Sequence, residues 1–146
     1  MQLQRPLLTL FFVISIGGCA LFTPPYDAYL DERTASAYEA IAKIAAGAEL
    51  GQYSDPTSFE KASNQYVDIH ARLSVAALRA ETLPAASSLS KDARKVMAGQ
   101  IKSCRDQVGS LANLHKEEGI QPNAGATTAM MASCDMAVRT VQALKN

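Results

Sequence analysis

The sequence lacks tryptophan, carries aromatics at only 6%, and has no excess of charge: 14 Lys and Arg balance 14 Asp and Glu over 146 residues. The balance removes the electrostatic case for a nucleic-acid binder, since phosphate contacts need clustered positive charge. It also contains no Gly-x-Ser-x-Gly elbow, no Cys-x-x-Cys, no Cys-x-x-Cys-His, and only two histidines, His70 and His115. Nucleophilic catalysis, a zinc site and covalent haem attachment are therefore not expected, and no metal or cofactor is assigned. No segment alternates with the period of two that a half-buried strand requires. An apolar content of 48% with no net charge nevertheless disfavours disorder, and the length suits one domain.

Apolar runs are short. The longest, Leu7 to Gly18, follows a single positive side chain, Arg5, and ends on the small residues Gly17 and Gly18. A membrane span needs about 20 apolar residues, so a secretory leader is the better reading. The quartet Ile16-Gly17-Gly18-Cys19 closely resembles the lipobox of bacterial lipoproteins. That resemblance implies removal of residues 1–18 and a diacylglyceryl thioether plus an N-acyl chain on Cys19. At about 0.8 kcal/mol per buried CH₂, such chains anchor a protein firmly. In the sorting pattern of these lipoproteins, Ala20 after the cysteine implies the outer membrane, with the domain facing the periplasm. Residues 19–23 would form the lipidated N-terminus and tether, and residues 24–146 the domain. The stretch Ala20 to Thr23 spans at most about 14 Å, which holds the domain at the bilayer.

With Cys19 acylated, Cys104 and Cys134 remain an even pair, and an exported protein meets an oxidising compartment where pairs usually close. The expected Cys104–Cys134 disulfide contributes roughly 3 to 4 kcal/mol on chain-entropy grounds. Two free thiols, or a thiol nucleophile, are the competing readings. The second is weak, because Cys104 and His115 on one helix would stand about 16 Å apart.

Four segments carry apolar residues at three–four spacing, the signature of helices that bury one stripe. The first runs through Leu30, Thr34, Ala37, Ile41, Ile44 and Ala48 to Gly51, with Thr23 as expected cap and Pro24 and Pro25 in its first turn. The second opens at Asp55-Pro56, or at a capping box from Thr57 to Glu60. It then runs through Phe59, Ala62, Tyr66, Ile69, Leu73, Ala76 and Ala80, and stops at Leu83-Pro84. The third is expected to be capped by Ser90, with Met97, Ile101, Cys104, Val108 and Leu111 leading to Gly119. The fourth follows Pro122, with Asn123 as cap and Met130, Cys134, Ala137, Val141 and Leu144 inward.

The expected fold is all-α, an antiparallel up-down-up-down four-helix bundle stapled by one disulfide. The alternative is a membrane-pinned helical hairpin that dimerises.

Few residues in this pattern carry chemistry. His70 and His115 read as surface or capping histidines, His115 near a helix end that favours a cation. Met97, Met130, Met131 and Met136 read as core filler rather than haem ligands. Lys91, Arg94, Lys95, Lys102 and Arg105 form a basic strip whose usual role is solvation and whose alternative is weak contact with anionic head groups. The expected function is that of a non-enzymatic accessory or adaptor protein of the envelope with an envelope protein as partner. The alternative is a carrier of a small apolar ligand in the bundle core, among the seam alanines.

Overall fold

The computed structural model describes residues 23–145. Four helices occupy them: α1 Ala28–Glu49, α2 Phe59–Thr82, α3 Ser88–Glu118 and α4 Gly125–Gln142. One-turn 3-10 helices at Pro56–Ser58 and Ala143–Lys145 precede α2 and follow α4, and among the described residues there is no strand. Each helix packs on its neighbour in the chain, and α1 closes the ring against α4.

Contacts at both ends make the helices alternate in direction. At one end the start of α1 meets the end of α2, where Arg79 grips Asp27 at 2.7 Å, and the segment after α4, where Lys145 grips Asp31 at 2.6 Å. Arg94, early in α3, donates to the Leu83 carbonyl just past α2. At the other end the α1–α2 and α3–α4 loops join, with Ile120 N–H donating to the Tyr53 carbonyl at 2.6 Å. The chain enters the bundle at the first of these, hereafter the tether end. The second is the far end.

The core holds most of the seam residues anticipated from periodicity, with Ala45, Ala77, Ala98 and the loop residue Ile120 added, while Phe59 and Leu144 are only partly buried. Leu30, Ile41, Ile44, Ile69, Ile101 and Met130 have no exposed surface, and Leu73, Met97, Val108 and Leu111 have almost none. Each such side chain stabilises the fold by roughly 1.5 to 3 kcal/mol through removal from water. Thr34 sits on the same stripe, and its hydroxyl avoids an unpaired burial by donating to the Leu30 and Asp31 carbonyls of the preceding turn. Cys104 and Cys134 lie on facing stripes of α3 and α4 with Cα atoms 4.6 Å apart, and their sulfurs are bonded.

Helix starts depart from expectation in a consistent way. α1 is capped by Asp27, whose carboxylate accepts from Leu30 N–H at 2.8 Å, rather than by Thr23. Pro24 and Pro25 stay outside the helix, because Asp27, extended and bonded to Leu30 N–H, sets its start at Ala28. Ser87, not Ser90, caps α3, and Ser90 is its reciprocal partner three residues on. The box from Thr57 to Glu60 does not form; Asp55 instead caps the 3-10 turn through Thr57 N–H, and α2 begins at Phe59. Asn123 makes no cap either. It takes a positive φ of 61°, which asparagine tolerates, and α4 starts two residues later.

Candidate functional site

Among the regions of the described residues that carry polar chemistry or open space, three bear on the expectations above: a buried cluster at the far end, a groove between α1 and α4, and the tether end.

The cluster is built around His115, which has no exposed surface. Its position continues the α3 stripe, four residues after Leu111, so the ring points inward rather than to solvent. The reading of His115 as a surface or capping histidine is therefore overturned, because burial on the core stripe outranks attraction to the helix terminus. Tyr53, Phe59 and Tyr66 surround the imidazole at centroid distances of 5.0, 5.5 and 5.8 Å. Gly47 makes room for Tyr53, since a Cβ there would lie 2.6 Å from the phenol ring. Desolvation lowers the His115 pKa, keeping it neutral, and the same burial raises that of Tyr66.

A neutral imidazole has one donor and one acceptor, and its neighbours assign them. Ser58 Oγ donates to the Asp55 carbonyl at 2.5 Å, so its single proton is committed. The 2.8 Å contact between Ser58 Oγ and His115 Nε2 is then satisfied by the tautomer in which Nε2–H donates to the serine oxygen. Nδ1 is left to accept from the Tyr66 hydroxyl at 3.1 Å. All groups are paired in a single direction: Tyr66 to His115 to Ser58 to the Asp55 carbonyl. A serine within 2.8 Å of a histidine invites comparison with an activated nucleophile. Here the proton flow is the reverse of what activation needs, because a base must accept from the serine. The arrangement works as a strut tying α2, α3 and the α1–α2 loop together.

His70, by contrast, is exposed on α2. Met97 and Met130 are core, Met131 is half-buried, and Met136 is 52% exposed. Among the described residues no group of His, Cys, Asp and Glu is placed to hold a metal ion.

The α1–α4 groove has a volume of about 440 Å³ and is lined chiefly by Ala42, Ala45, Ala46, Thr127, Thr128 and Met131. Thr127 is 7% exposed, and its buried hydroxyl has no hydrogen-bond partner among the described residues.

At the tether end, a groove of about 380 Å³ is walled by Thr23, Pro24, Tyr26, Pro84, Ala85 and Leu144. Asp31 accepts from the Tyr26 hydroxyl at 2.9 Å and from Lys145, and these partners hold its carboxyl below the usual range. Burial pushes Asp27 up, but the Leu30 N–H and the Arg79 guanidinium outweigh it and leave the carboxyl low. Members of the basic strip have partners of their own: Lys95 lies 3.6 Å from Asp92, Lys102 pairs with Glu81, and Arg105 pairs with Asp106 at 2.8 Å. Lys91 is exposed in the first turn of α3. Cys19 and residues 1–18, on which the leader and lipobox expectations fall, lie outside the described residues. Among the described residues no helix is long and apolar enough to cross a membrane.

No family model, no curated protein and no solved structure matches this chain.

Proposed function

We propose that the chain is a lipid-anchored accessory protein of the bacterial envelope, held to a membrane through Cys19 and acting by binding rather than catalysis. The observation that carries this reading is the partition of its three cysteines. Cys104 and Cys134 are joined across α3 and α4, as suits an oxidising compartment, which leaves Cys19 as the single cysteine outside the pair. That cysteine ends the quartet resembling a lipobox. The bundle supports a binding role because its apolar stripes are occupied by one another and its buried histidine is committed to internal bonds. An outer-membrane position facing the periplasm follows the resemblance at Ala20, and an envelope protein is the proposed partner.

Growth of the producing bacterium on labelled palmitate tests the anchor. The wild-type chain should take up label and sediment with membranes, and Cys19→Ser should do neither. Label on the Cys19→Ser variant, or none on the wild type, would remove the reading.

A second reading, carriage of a small and partly apolar ligand, is favoured by one observation, the α1–α4 groove, where alanines and Met131 share the wall with Glu49, Asn123 and Thr127, whose hydroxyl has no partner among the described residues. Its volume falls within the range of small-molecule sites. The place differs from the bundle core expected from sequence, since the groove lies on the surface between two helices. Native mass spectrometry of the purified chain decides it: a retained ligand lost on Met131→Glu supports carriage, and an empty spectrum opposes it.

A further inference from the structure

Exposed apolar surface and charge are both unevenly distributed along the bundle axis. Among the described residues, Tyr26, Tyr29, Leu78 and Leu89 are 42 to 62% exposed, and at 1.5 Å per residue all stand within about 6 Å of the tether end. Val75, Val96 and Met136 follow within about 12 Å, whereas of the large exposed apolar residues only Leu50 and, about 12 Å in, Val67 belong to the far end. Charge runs the same way. Within two turns of the tether end, and counting the adjoining Asp27 and Lys145, there are seven bases and six acids, a net +1. Within two turns of the far end, and counting Asp55 in its loop, there are three bases and five acids, a net −2. Five of the six tether-end acids are held by bases: Asp27 by Arg79, Asp31 by Lys145, Glu81 by Lys102, Asp92 by Lys95 and Asp135 by Arg139. Two segments at this end carry no charge at all, Thr23 to Tyr26 and Leu83 to Ser90.

We propose that the tether end is itself a bilayer-docking face, with Tyr26, Tyr29, Leu89 and the Pro84-Ala85-Ala86 turn at head-group level and Lys91 and Lys95 against anionic lipid. The proposal rests on the anchored reading of Cys19 for where the membrane lies; the asymmetry belongs to the bundle alone. Two arguments favour a bilayer over a protein as occupant. The chain outside the described residues joins the bundle at Thr23, in the wall of the apolar groove, and four peptide units from Cys19 to Thr23 reach at most about 14 Å. That gap is hardly wider than one helix with its side chains, roughly 10 to 12 Å. The exposed chemistry also suits an interface, since half-exposed tyrosine rings settle at head-group depth and lysines beside them meet lipid phosphates.

The test uses the full chain, reconstituted in vesicles of phosphatidylcholine mixed with phosphatidylglycerol and in vesicles of phosphatidylcholine alone. An environment-sensitive dye is placed at Leu89→Cys, or at Leu50→Cys as the far-end control; both positions are exposed, so folding is retained. On mixed vesicles the Leu89→Cys dye should shift to the blue and lose most of its quenching by aqueous iodide. The Leu50→Cys dye should keep its aqueous emission. Adding Lys91→Glu and Lys95→Glu should restore quenching at position 89 while sedimentation with vesicles stays unchanged. Equal quenching at both positions, on vesicles with which the chain sediments, overturns the proposal. Shielding found only in native membranes overturns it too, because it assigns the face to a protein. Failure to sediment contradicts the acyl anchor instead. The dye measurement is then made on chain with Cys19→Ser and an N-terminal polyhistidine segment held by nickel-chelating lipid, which leaves the reporter cysteine as the only free thiol and judges the docking face separately.

Discussion

Acid should weaken the bundle through one residue. His115 is fully buried and its pKa is lowered by desolvation, so the folded state resists the proton that the unfolded chain takes up near the ordinary value of 6.5. The depressed folded pKa means that the contribution of His115 is fully present above about pH 6.5 and is lost as pH falls from there towards the folded value. One proton of differential binding limits the slope to about 1.4 kcal/mol per pH unit. For a domain of this size that is about 5 °C in Tm per pH unit. The polar neighbours of the ring that would respond are Ser58 and Tyr66, and protonation would force Nδ1–H against a hydroxyl now donating to it. Replacement His115→Gln keeps a donor and an acceptor but cannot titrate. It should cost about 1 to 3 kcal/mol at neutral pH through imperfect pairing, and it should flatten the curve between about pH 7 and pH 5. Thermal unfolding followed by circular dichroism across that range, with the disulfide intact, reads both quantities. Parallel curves for wild type and variant, or a wild type that gains stability as pH falls through this window, would refute the reasoning. The acids with lowered pKa values, Asp27, Asp31 and Asp55, contribute stability that is lost only at lower pH, below their ordinary value of 3.8, so the two effects separate.

Other perturbations discriminate further. Opening the disulfide, by reductant or by Cys104→Ala with Cys134→Ala, frees a loop with a sequence separation of 30 and should cost about 3.5 kcal/mol, read as a lower urea midpoint. Two glycine replacements should have opposite signs. Gly119→Ala places a Cβ against the Ser54 carbonyl at a φ of 76°, a backbone region nearly reserved for glycine, and should cost about 1 to 3 kcal/mol. Gly109→Ala, within α3 and with nothing near the added carbon, should stabilise by about 0.5 to 1 kcal/mol. Urea denaturation of the two variants beside wild type checks the pair, and the same sign in both would contradict the local geometry.

The fold was legible because one physical signal dominates it. Residues at three–four spacing from Leu30 to Ala48, and their counterparts in the other segments, are those with the least exposure, and the cysteine pair fell on facing stripes. Caps were less legible. Ser87 and Ser90, or Thr23 and Asp27, are chemically interchangeable at a helix start, and the choice depends on where packing places the first turn. The histidine cluster was half-written in the sequence: His115 extends the spacing of Cys104, Val108 and Leu111, and Tyr66 lies on the α2 stripe. What periodicity cannot supply is that Ser58, Tyr66 and His115, separated by as many as 57 residues, meet at one level of the bundle. The axial asymmetry was similarly hidden, because helices of alternating direction scatter each end of the molecule over four parts of the chain.

The central claim is that the three cysteines have different fates, and the intact mass of the natural protein, measured without reductant, tests it most directly. The account predicts a chain beginning at Cys19 that carries acyl mass on that residue, and no uptake of alkylating reagent until a reductant opens Cys104–Cys134. A product that retains residues 1–18, or one whose sulfurs all alkylate without reduction, would contradict it.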